Sequence, residues 1–125
     1  MALILDGKKL SQDIRNKLRL SLETQLEAGS NLPHLAVFQV GEDLPSTVYI
    51  RAKKRACEEI GFKFTKVNLP QNTSMRALTE AVIDVNSDIN IHGFLIQSPL
   101  PDHLDEIEVQ RLVSPQKDID CFHPE

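Results

Sequence analysis

A chain of 125 residues with 41% hydrophobic content can bury one ordinary core, so the expectation is a single domain over residues 1–125 and not two full domains. Fourteen basic and eighteen acidic side chains give a net charge of -4, with the signs mixed along the chain, which argues against nucleic acid and anionic membrane as partners.

The chain opens with a short extended segment, Ala2 to Leu5. Leu10, Ile14, Leu18, Leu22 and Leu26 then recur at every fourth position in a polar background, which predicts an amphipathic helix ending near Gly29. Leu35 to Val40 is a near-continuous apolar run, the pattern of a strand covered on both faces, and Gly41 to Pro45 reads as a turn. Ser46 is the expected N-cap of a second helix carrying Tyr49, Ala52, Ala56 and Ile60 and ending at Gly61. Phe62 to Leu69 is a further strand. Ser74 caps a third helix with the apolar stripe Leu78, Ala81, Val82 and Val85, and Ile91 to Ile96 is the next buried strand. Two prolines make Gln97 to Pro101 a stiff loop. A short helix around Asp105 to Val113 and a tail, Lys117 to Pro124, complete the chain.

Strands alternating with helices at this spacing predict parallel pairing through right-handed crossovers. The fold class is therefore α/β, a three-layer αβα domain with a mostly parallel sheet. Ligands of such sheets gather at the carboxyl ends of the strands, which selects Gly41 to Pro45, Gln97 to Pro101 and the first turns of the helix beginning near Ser46.

Ser46, Tyr49 and Lys53 are spaced i, i+3 and i+7, so one helical stripe carries all three. Tyr49 offers a ring for stacking on a heteroaromatic substrate; Lys53 offers a cation suited to proton transfer once desolvated. Against this stands the plain reading of an interfacial ring, a solvated cation and a capping serine, and Arg51, Lys54 and Arg55 are read as a solvated face. Gln97 closes a buried run where a ligand would be met, and Pro99 and Pro101 stiffen the loop behind it. Asp118 and Asp120 point in opposite directions in an extended tail, so one at most faces a ligand. The four histidines show no metal-ligand spacing, and Gly41 stands in no phosphate-binding motif; no metal and no dinucleotide cradle are expected in this chain. Cys57 and Cys121 form no C-x-x-C pair, the start MALILDGKKL has too short an apolar run for a signal peptide, and no stretch reaches the ~18 apolar residues of a membrane span. A reducing, cytoplasmic setting is the expectation.

The segments Val40 to Lys53, His92 to Pro101 and Lys117 to Pro124 resemble, in order, the signature stretches of bifunctional methylenetetrahydrofolate dehydrogenase/methenyltetrahydrofolate cyclohydrolases. Leu5 to Lys8 and Ala56 to Gly61 are similar as well, so the resemblance covers nearly the whole chain. It implies oxidation of 5,10-methylenetetrahydrofolate with NADP, or NAD, followed by hydrolysis of the methenyl cation to 10-formyltetrahydrofolate, as part of purine biosynthesis. It implies that Lys53 is the catalytic lysine, Tyr49 the ring stacked on the folate, Gln97 the amide bonded to the lysine, and Asp120 the pterin anchor. Ser46, Pro99 and Leu100 belong with the substrate-binding residues.

The resemblance also implies a second, Rossmann-type domain that binds the dinucleotide and that this chain does not contain, and a homodimer for the full-length protein. Two residues depart from the pattern: Ser98 replaces an apolar residue and Cys121 a glycine, where a Cβ would strain a left-handed turn. Two other readings compete. A folate- or ligand-binding module without turnover would show no hydrolysis, and a phosphoreceiver-like signalling domain would need an acidic residue where Gln97 stands.

Overall fold

A computed structural model describes all residues, Met1–Glu125. Its elements alternate as the hydrophobic periods require: α1 (Gly7–Glu27), β1 (His34–Val40), α2 (Leu44–Ile60), β2 (Lys63–Leu69), α3 (Met75–Ser87), β3 (Gly93–Ile96) and α4 (Glu106–Leu112). The three strands are parallel in the order β2-β1-β3, with Val37 opposite Lys66 on one side and Leu95 on the other. The central strand β1 is the one whose sequence is apolar nearly throughout, and its residues Ala36 to Val40 are all buried.

The alternation of side chains along β1 sends Ala36, Phe38 and Val40 to one face and Val37 to the other. On the first face they meet Phe94 and Ile96, Leu78, Val82 and Val85 of α3, and Val109 of α4. Phe38 and Phe94 lie with ring centroids 5.7 Å apart and planes tilted by 53°. On the second face Val37 and Leu95 pack under Ile50 of α2, with Phe64 at the edge. α1 adds to this layer through contacts with α2: Glu59 receives Gln12 Nε2 at 2.6 Å and Arg15 Nε at 3.2 Å.

The predicted apolar stripe of α1 does not become core. Only Leu22 is buried, while Leu10, Ile14, Leu18 and Leu26 stay exposed, because α1 touches the body only along its polar edge and near Gly61. β3 begins at Gly93, two residues later than the apolar run; the His34 N–H at the ladder's end donates to the His92 ring at 3.0 Å and not to a strand carbonyl. Ala2 to Leu5 joins no strand. After α4 the tail makes a single parallel bridge to β3, Phe94 opposite Asp118, and so runs toward the sheet's carboxyl edge with Asp120 two residues farther on.

Candidate active site

Two segments meet at the carboxyl edge, the first turns of α2 and the loop after β3, and the tail beyond Asp118 runs toward the same edge. The N-cap of α2 is Asp43 and not Ser46. The chain turns through Gly41 (φ 84°), Asp43 takes the extended conformation of a cap, and Pro45 enters the first helical turn, where its missing N–H is no loss. Ser46 therefore falls one turn inside the helix, about 40° around from the core residue Ile50, and is only 2% exposed. Its hydroxyl lies 2.6 Å from Asp43 Oδ2 and 3.0 Å from the Ser98 carbonyl, while its backbone N–H donates to Asp43 Oδ2 at 2.9 Å. The hydroxyl and N–H of Ser46 hold the Asp43 carboxyl below the ordinary aspartate value.

Lys53 and Gln97 come together as expected. Lys53 Nζ donates to Gln97 Oε1 at 3.1 Å, and Gln97 Nε2 donates to the Ser98 carbonyl at 3.2 Å. The amide orientation is set from both sides, since an ammonium or amine N–H offers a donor and a carbonyl only accepts. Tyr49 stands beside them, 61% exposed, its ring centroid 6.0 Å from Lys53 Nζ. At that distance the cation–π attraction is at its limit, so the ring face remains available to a flat ligand.

In the tail, Asp118 accepts from the N–H of Asp120 at 3.2 Å and of His123 at 2.8 Å, which closes the turn containing Cys121. Asp120 is exposed, and its carboxylate is engaged by no side chain or backbone donor of the chain. Of the two tail acids, one builds the turn and the other is displayed by it. Cys121 has φ 57°, the left-handed conformation that glycine adopts without strain.

Pro99 is exposed on the loop, whereas Leu100 turns its side chain into the core beside Leu104 and Val109, and its N–H donates to Glu106 Oε1 at 2.7 Å. A hollow of about 420 Å³ opens on the side of this loop bordered by Glu42, Asp43, Gln71 and Asp102, and it contains neither Lys53 nor Tyr49. Sequence reasoning missed Asp43 as the cap and, though it named Asp118, the turn which that acid closes. The signal for the first was present as Asp43-Leu44-Pro45, a capping acid followed by proline in the first turn. Burial, reinforced by Glu58, pushes the Cys57 thiol up, away from the reactive thiolate.

A dinucleotide does not fit these residues. The Gly41 N–H donates to the Leu69 carbonyl and the Ser46 and Thr47 N–H groups are occupied by Asp43, whose negative charge at the helix start would repel a phosphate. No helix is long and apolar enough to cross a membrane, and no group of three or more His, Cys, Asp or Glu side chains is placed to hold a metal ion.

A helix stripe bearing a lysine and a tyrosine at the carboxyl edge of a parallel sheet, with a strand-end amide beside them, defines an α/β domain with a candidate ligand site where such sheets hold their ligands. Comparison with known proteins fixes the family. Residues 5–120 match the model of the tetrahydrofolate dehydrogenase/cyclohydrolase catalytic domain, and the chain belongs to that family. It is 44% identical over 122 residues to the bifunctional protein FolD of Chloroherpeton thalassium, covering 98% of this chain and 42% of that protein. Its fold is that of a 5,10-methylenetetrahydrofolate dehydrogenase from the silkworm, Bombyx mori, with TM-score 0.94 and 32% identity over 98% of this chain and 42% of that one. The methylenetetrahydrofolate dehydrogenase-cyclohydrolase of Trypanosoma brucei, solved with NADP and an inhibitor, matches at TM-score 0.86 and 31% identity over 96% of this chain and 41% of that one. The chain thus spans less than half the length of the relatives it matches.

Proposed function

We propose that this chain supplies the folate side of an active site that oxidises 5,10-methylenetetrahydrofolate with NAD(P) and hydrolyses the methenyl product to 10-formyltetrahydrofolate. The observation that carries the reading is the Lys53–Gln97 hydrogen bond beside the exposed ring of Tyr49. Tyr49 stacks on the folate. Asp120 receives paired N–H groups of the pterin, a task for which a carboxylate with two free oxygens is suited. Gln97 holds one N–H of Lys53, which leaves the remaining valence of the nitrogen aimed at the substrate.

In the hydrolytic step water adds to the carbon bridging N5 and N10 of the methenyl cation, and Lys53 takes the proton that the water loses. The tetrahedral adduct then loses its hydroxyl proton as the carbon–N5 bond breaks and N5 is protonated, leaving the formyl group on N10. The balance is one water consumed and one proton released. Pro99 backs the Gln97 loop, and Leu100 anchors it to the core. Ser46, grouped with the substrate-binding residues by resemblance, acts through that loop, whose Ser98 carbonyl its hydroxyl holds.

The finer parts of the reading are NADP as the cofactor, with NAD the alternative, held by residues outside this chain; a homodimer; and a cytoplasmic role in purine biosynthesis. Support for NADP comes from the Trypanosoma brucei relative, which was solved with that cofactor. The test is the loss of methenyltetrahydrofolate absorbance catalysed by the protein and by Lys53→Met. A fall of about 10² or more in turnover is expected, the range of a lost general base. Undiminished hydrolysis by Lys53→Met would reject the mechanism, and folate binding without hydrolysis in the unsubstituted protein would leave a binding module.

A further inference from the structure

We propose that Asp43 and Ser46 are positioning residues that set the Gln97 amide against Lys53. The inference rests on the role given above to Lys53 and Gln97, and it extends the machinery to two residues that need not touch the substrate.

An aspartate N-cap has one ordinary task, to accept the backbone N–H two or three residues on, and Asp43 does this with the N–H of Ser46. That task makes no demand on the Ser46 side chain; alanine would present the same N–H. Yet Ser46 is a hydroxyl buried to 2% exposure, and its oxygen reaches across 52 residues of sequence to the Ser98 carbonyl at 3.0 Å as well as back to Asp43 at 2.6 Å. One hydroxyl proton is shared between the two acceptors, so the carboxylate fixes the rotamer and the rotamer fixes the distance to the loop.

The Ser98 carbonyl has two lone pairs, and its other partner is Gln97 Nε2. A carbonyl pinned to α2 on one side therefore presents a fixed acceptor to the Gln97 amide on the other. With Nε2 held there, Oε1 faces Lys53. The helix that carries Lys53 thus also holds the loop that orients Lys53's partner, and both ends of the Lys53–Gln97 contact are referenced to one rigid element. If the loop shifted relative to α2, the amide would lose its anchor and Lys53 its direction.

The first readout is the proton–nitrogen spectrum of the full chain, in which the side-chain amide pair of Gln97 is identified by its disappearance in Gln97→Ala. Ser46→Ala and Asp43→Ala are expected to move that pair toward the position of a free glutamine, while Asp43→Asn, whose amide oxygen can still accept from Ser46, keeps it near its original place. A pair unmoved by Ser46→Ala would overturn the proposal. The second readout is methenyltetrahydrofolate hydrolysis. Ser46→Ala is expected to lower kcat by about tenfold with KM within about twofold, as for a misplaced catalytic group. In a Gln97→Ala background the same substitution is expected to cost nothing further. A raised KM at unchanged kcat would mean that Ser46 binds substrate directly, and an equal loss in the Gln97→Ala background would mean a general structural effect; either result rejects the relay. Should the unsubstituted protein hydrolyse nothing, the proposed function fails, and the spectrum still decides whether Asp43 and Ser46 orient Gln97.

Discussion

Lys53 Nζ donates to Gln97 Oε1 across 3.1 Å, joining the middle of α2 to the residue that follows β3. Because the acceptor is a neutral amide, the contact directs the lysine nitrogen without placing a formal charge beside it. Gln97→Glu would place a full negative charge at the same distance and stabilise the ammonium. The expected outcome is a fall in methenyl hydrolysis near neutral pH that is partly recovered at higher pH, whereas Gln97→Ala loses turnover without that recovery. Parallel pH–rate profiles for the two variants would count against an acid–base role for the pair.

Asp43 makes stability at the start of α2 depend on pH. Its carboxyl is held down by the hydroxyl and then the N–H of Ser46. A folded-state value below the unfolded one means stabilisation that is complete above the ordinary aspartate range and is lost as pH falls through the lowered value. Asp43→Asn has no proton to gain, so the difference in thermal midpoint between it and the unsubstituted protein should stay constant from neutral pH down to about 5 and shrink below about 4. A difference that instead widened on acidification would contradict the assignment of Asp43 as an ionised cap.

What the chain makes legible at the level of sequence is the part governed by local period. The apolar run of β1, the 3.6-residue stripe Leu78, Val82 and Val85, and the cap Ser74 each appear where local chemistry placed them. The convergence of Lys53, on α2, with Gln97, after β3, was not carried by period; it was expected only because the chain resembles a family in which an amide bonds the lysine. The rest depended on facts that period does not carry. Ser46 shares a stripe with Tyr49, but the stripe winds obliquely, so its first member faces inward and its second outward. Asp43 became the cap because Pro45 sets where the helix can begin. The stripe on α1 marks a helix, and its exposure was not legible, since an amphipathic face identifies a helix without saying what it meets.

Cys121 offers a stability test beside the site. Its φ of 57° strains a residue with a Cβ by about 1–2 kcal/mol, whereas glycine takes the conformation freely. Cys121→Gly also loosens the unfolded chain, which costs about 0.4–1 kcal/mol. The net expectation is a gain of about 0.5 kcal/mol, or roughly 2 °C in Tm for a chain of this size, together with tighter folate binding as Asp120 is held in a relaxed turn. A lower Tm in thermal unfolding would show that the left-handed turn carries no strain.

Gly93 probes the placement of Asp120 from beneath. A Cβ built there would come within 2.5 Å of Ile119 Cγ2, closer than carbon atoms can approach, so one segment must give way. β3 is the less able to, because Gly93 is buried and paired with Leu35 of the central strand β1. Ile119, half exposed in the tail, can, and it is the neighbour of Asp120. Gly93→Ala is therefore expected to cost about 1 kcal/mol, at the low end for overpacking because the contact lies near the surface. Its larger effect should be on folate affinity, with KM raised more than kcat is lowered, since the Lys53–Gln97 contact lies beyond the opposite end of β3. Adding Ile119→Ala removes the colliding methyl and should restore both stability and KM beyond the sum of the single effects. If the double variant bound folate no better than Gly93→Ala alone, the tail would not be what positions the carboxylate, and the role of Asp120 as pterin anchor would have to be given up.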